Sequence, residues 1–145
     1  MIADAAHTAQ VPASRAYRLA ATAAFPLALA AVRLLPLRYL FLLIRAARWV
    51  GRRPLAAGDG EQLVAAARHA GRWWPGRIAC LETSITAVLA AAACGRALTW
   101  CIGVRFAPPP DSHHAWCAVP GPDGALLPVG EHTAAGWHYH PAHTI

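Results

Sequence analysis

Lysine is absent: all thirteen basic side chains are arginine, seven acids oppose them, and the net charge is +6. Charge is scarce altogether, at 14% of residues against 57% apolar. The chain is therefore richer in apolar residues than an ordinary soluble domain. Basic and aromatic residues do not interleave on any nucleic-acid-binding motif, so nucleic acid is excluded as the expected partner. No uncharged run approaches the roughly 20 residues of a spanning helix; the longest, 19–32, has 14. No basic n-region opens the chain, so no secretory signal is read. The four cysteines (Cys80, Cys94, Cys101, Cys117) form no CxxC pair, which removes a structural zinc site of the usual spacing. Reduced thiols in the cytoplasm are expected, with association to a membrane surface as the alternative. No internal repeat is present.

The 145 residues suffice for one domain, or one small domain with an arm. Residues 1–14 are small and polar and are expected to be disordered. Residues 15–54 are Ala/Leu-rich and carry arginines at 15, 18, 33, 38, 45 and 48, with two more in Gly51-Arg-Arg-Pro54. They read as a helical arm, kinked at Pro26, with Pro36 in the opening turn of a second helix. Packed or interfacial helices are preferred there over a membrane hairpin. A basic, apolar arm fits an acidic peptide, a partner protein or a bilayer surface.

Residues 55–145 carry the expected domain. Asp59-Gly-Glu-Gln62 has the pattern of a capping box, with Asp59 as N-cap. The helix that follows ends near Gly71–Pro75. A second helix, apolar on nearly all sides, runs from about Cys80 to Ala93 and is capped at Gly95. The character then changes. Leu98, Trp100, Ile102, Val104 and Phe106 alternate with Thr99, Cys101, Gly103 and Arg105, the period of a strand. Further strands are expected at 113–119 and 125–129, around a turn at 120–124. Helices followed by a small antiparallel sheet make the fold α+β.

Chemistry concentrates in a cysteine, a histidine and an acid, in that order. Cys80 opens a helix, where the positive end of the dipole favours thiolate. The first-turn amides could also stabilise an oxyanion. His114 follows thirty-four residues later on a strand, and Glu131 lies one strand further on. This is the order of a thiol acyl-transfer site, in which the acid holds the histidine in its useful tautomer. Taken alone, Cys80 also reads as a small buried apolar residue. The strand alternation leaves open whether His113 or His114 faces inward.

Four blocks add a resemblance. Cys80-Leu-(two residues)-Ser-Ile, Trp100-Cys-Ile-Gly-Val-Arg105, His114-Ala-Trp116 and Pro128-Val-Gly-Glu131, with a closing Tyr-x-Pro, resemble the lasso-peptide leader peptidases. These are transglutaminase-like cysteine proteases, and the likeness covers roughly 55–145. The resemblance implies a papain/transglutaminase-like core, with the nucleophile at the start of a buried helix packed on a small antiparallel sheet. It puts the nucleophile on Cys80, the histidine on His114 and the third member on Glu131, where an aspartate is the archetype. Asp123 would rival Glu131 only if its loop folded back. The implied reaction is removal of the leader from a ribosomally made precursor, with no metal or cofactor. The length resembles the stand-alone peptidase of split systems. Its partners would be the precursor's leader region, a separate leader-binding protein and an asparagine-synthetase-like cyclase.

Other readings stay beside it: a catalytically weak scaffold or chaperone subunit, or a small membrane-associated protein. His132, His138, His140 and His143 read as a solvated tail, with zinc binding as the alternative. Trp73-Trp74 reads as a packing pair that could instead line a peptide groove.

Overall fold

The computed structural model describes residues 13–76, 78–107, 112–130 and 138–145. The expected disorder of residues 1–14 falls almost wholly outside them. Four α-helices come first: α1 (Arg15–Leu34), α2 (Leu37–Val50), α3 (Ala57–Ala70) and α4 (Cys80–Ala93). A two-residue strand β1 (Arg53–Pro54) precedes α3, and a 3-10 turn (Gly71–Trp73) follows it. After α4 come β2 (Arg96–Ala97), β3 (Thr99–Ala107), β4 (Ser112–Pro120), β5 (Leu126–Val129) and β6 (His138–Thr144). β1 and β2 pair in parallel, and the other four form an antiparallel sheet in the order β5-β4-β3-β6. The fold is α+β.

α4 is the centre. Ile85, Ala87, Val88, Ala90 and Ala91 are all essentially inaccessible, as an apolar helix without a polar face must be. It meets α1, α3, α2 and the inner face of β4, where Ala115, Cys117 and Val119 join Val129 of β5 in one core. Gly95, at φ +69°, ends the helix in the left-handed conformation that glycine adopts without strain.

The helices before residue 54 contribute to this same core. Ala21 and Ala28 of α1 and Ile44 of α2 are fully buried within it. α1 runs unbroken through Pro26, and Ser14 caps it by accepting from Tyr17 N. Pro36 is the N-cap of α2, one residue ahead of the helix. α1 is long and apolar enough to cross a bilayer by length and composition, and no other described helix is.

Two expectations are corrected. Asp59 is not an N-cap: α3 opens at Ala57, with Ala56 in the capping position. The parallel β1–β2 pairing and the Leu55 N–H bond to Ala97 O set the chain's entry earlier than the local motif does. Asp59 instead lies near Tyr17, and burial first, then the charge of this carboxylate, raise the tyrosine's pKa. Gln62 Oε1 accepts from Ser14 N at 3.3 Å.

The C-terminal segment is also more than a solvated tail. Residues 138–144 form β6 on the edge of β3, and Ile145 and Trp100 exchange both backbone hydrogen bonds, at 2.8 and 2.9 Å. Gly103 is required at this junction, because a Cβ there would strike the His140 carbonyl.

Candidate active site

Cys80 is the first residue of α4, half-buried, with its helix end tied from behind. Glu82, only 6% exposed, turns its carboxylate back so that Oε2 accepts from Ala79 N at 3.1 Å. That is one half of a capping box. It satisfies one of the N–H groups that the first turn leaves without an intrahelical acceptor.

A short chain of buried polar contacts fixes α4 against the sheet. Trp100 Nε1 donates to Ser84 Oγ at 3.0 Å, and Ser84 Oγ donates to Leu81 O at 3.0 Å. On the neighbouring strand, Cys117 Sγ donates to Ser84 O at 3.4 Å. Both β3 and β4 thus hold the helix one turn beyond Cys80, which decides where the thiol meets β4.

It meets β4 at His114 and Ala115. The His114 side chain and the Ala115 backbone N–H both hydrogen-bond the Cys80 sulfur. β5 begins its pairing only at Cys117↔Val129, so it does not pair with Ala115. The thiol pKa is lowered, chiefly by the hydrogen bond to His114. Burial opposes the shift, while the Ala115 amide, the charge of His114 and the cysteine's own N–H add to it. A lowered pKa lets the thiolate, the reactive form of a cysteine, persist to lower pH.

His114 stacks on Trp116, with ring centroids 6.0 Å apart and planes 14° from parallel. His113 points to solvent. The inward histidine, undecided by alternation, is therefore His114. Glu131 lies outside the described residues. Asp123 does not fold back: it sits in the turn at the far end of β4, exposed, its Oδ1 accepting from Ala125 N at 3.0 Å. Among the described residues no three metal-capable side chains come together.

The thiol opens on a pocket of about 400 Å³. Val64 and Arg68 of α3, Arg72 of the 3-10 turn, Ile78, Thr83 and the segment His114–Cys117 line it. Arg72 Nη1 donates to His69 Nδ1 at 3.1 Å across the rim. Trp73 and Trp74, expected as a packing pair, are exposed at 85% and 41% on the loop beside this rim. Buried side chains do not explain them. Two of the other three thiols differ from Cys80 in depth: Cys101 and Cys117 are buried, and burial pushes the Cys101 pKa up, whereas Cys94 is half-buried.

Sequence reasoning missed Glu82 and the Ala115 amide. The first was concealed because Ala79 is no capping residue by type. The second is a backbone group that no side-chain pattern can announce.

Residues 21–123 match the family model described as the transglutaminase-like superfamily. No curated protein matches the chain, and neither does any solved structure.

Proposed function

The chain belongs to the transglutaminase-like superfamily, and on that footing we propose that it is a cysteine peptidase of ribosomal-peptide maturation. Its reaction is removal of the leader from a lasso-peptide precursor. The observation that carries the reading is the Cys80 thiol, at the head of a buried helix, hydrogen-bonded to His114 and opening on the pocket.

The Cys80 thiolate attacks the carbonyl carbon at the leader–core junction. Negative charge moves to the carbonyl oxygen, for which first-turn amides of α4 are the proposed donors. The C–N bond breaks as His114 gives its proton to the leaving amine, which frees the core's α-amino group. The leader is left as a thioester on Cys80. Water attacks this thioester, His114 taking the proton, and releases the leader carboxylate and the thiolate. Glu131 is the proposed acid that orients His114. A leader-binding protein and an asparagine-synthetase-like cyclase, which would join the freed amine to a side-chain carboxyl, are the proposed partners.

The test is mass spectrometry of the precursor incubated with this protein and the leader-binding partner. Wild type releases a leader-sized fragment, and Cys80→Ala lowers the rate by at least about a thousandfold. Glu131→Gln lowers it less, grading the acid. A folded wild type that releases no fragment, even with the cyclase present, would replace the peptidase by a scaffold subunit.

A further inference from the structure

We propose that the corner between α1 and α2, continued by the outer face of α2, binds an anionic membrane surface and lies in the headgroup plane without crossing the bilayer. Residues 33–39, Arg-Leu-Leu-Pro-Leu-Arg-Tyr, are all exposed, so the corner is an uninterrupted apolar projection flanked by guanidinium groups. Leu34 is 78% exposed and Leu37 56%. α2 turns Leu40, Ile44 and Ala47 inward. The opposite stripe at helical spacing, Arg38, Leu42, Arg45 and Trp49, faces solvent.

Charge selects the occupant. Between residues 13 and 58 there are eight arginines and no acid. An acid-free set of fixed cations beside leucines and a tryptophan matches phosphate headgroups lying over acyl chains. Arg38 sits over the Tyr39 ring at 4.7 Å and Arg52 over Trp49 at 5.8 Å. The apolar rings thus go with cations at the depth where headgroups begin. A projecting corner offers no groove for a partner helix, which favours a bilayer over a protein. α1 itself stays in the core, with Ala21 and Ala28 inaccessible, so the attachment is interfacial. None of these residues lines the pocket at Cys80, so the attachment leaves that pocket open.

The experiment is co-sedimentation of the full-length protein with vesicles of phosphatidylcholine plus phosphatidylglycerol, and with phosphatidylcholine alone. Wild type is expected to pellet with the anionic vesicles and to be released by salt. Leu34→Ser/Leu37→Ser lowers partition by at least about tenfold, and Arg38→Gln by about fivefold. Unchanged circular dichroism in both variants shows that the fold persists. Wild type left in the supernatant with anionic vesicles, or bound equally to neutral ones, overturns the proposal. A wild-type dimer that the leucine pair converts to monomer, with no lipid binding, overturns it in favour of self-association. Binding to an acidic partner protein without lipid binding overturns it too.

Discussion

Cys80 differs from Cys101 through its neighbours more than through its depth. Both lose water, yet Cys80 gains His114 and the Ala115 amide as donors, and its pKa falls where that of Cys101 rises. A lowered pKa means that the reactive thiolate persists to lower pH. Iodoacetamide alkylation of Cys80, followed site by site in the mass spectrometer, should therefore titrate with a midpoint below the ordinary thiol value of about 8.5. His114→Ala should move that midpoint upward and slow the reaction at neutral pH, while Cys101 stays slow throughout. At this scale the cysteine was legible because it heads an apolar run. The choice between His113 and His114 was not, because adjacent residues on a strand differ only in the face they take, and only the packed sheet says which face meets α4.

Among the elements, α4 was legible from its first residue to its cap, since an apolar run bounded by Gly95 has few other ways to fold. Where local and tertiary signals compete, the tertiary ones prevail. The Asp59 motif yields to strand pairing at Leu55, and the histidine-rich C-terminal segment becomes a strand through backbone bonds to β3 that its composition does not advertise. The contact that registers α4 against the sheet is Ser84. Ser84→Ala would leave the buried Trp100 indole N–H without its acceptor, at a cost of about 1–3 kcal/mol. Urea unfolding should show that loss, and Cys80 alkylation in the variant should slow as its helix loosens from β4. Wild-type stability in the Ser84→Ala protein would remove Ser84 from this role.

For the whole molecule, the helices of residues 15–54 share their core with α4, the most buried element. Deleting residues 1–54 should therefore expose the α4 flank and give an aggregated product on gel filtration, without the cooperative melt of the full chain. A soluble, cooperatively folding 55–145 fragment would instead make the helix pair a separable arm. The sequence showed these helices to be apolar, but apolarity alone does not say whether a helix covers a core or waits for a partner. Here α1 is divided between the two, with alanines inward and several leucines outward.

The bonds between Ile145 and Trp100 carry a consequence for biosynthesis. Trp100 holds Ser84, and Ser84 registers the helix that presents Cys80, so a strand made after every other described element completes the lock on the thiol. His114 and Ala115, which activate that thiol, also leave the ribosome after it. During translation Cys80 therefore lacks the contacts that lower its pKa until β4 has followed it, and its helix lacks this lock until β6 has been made.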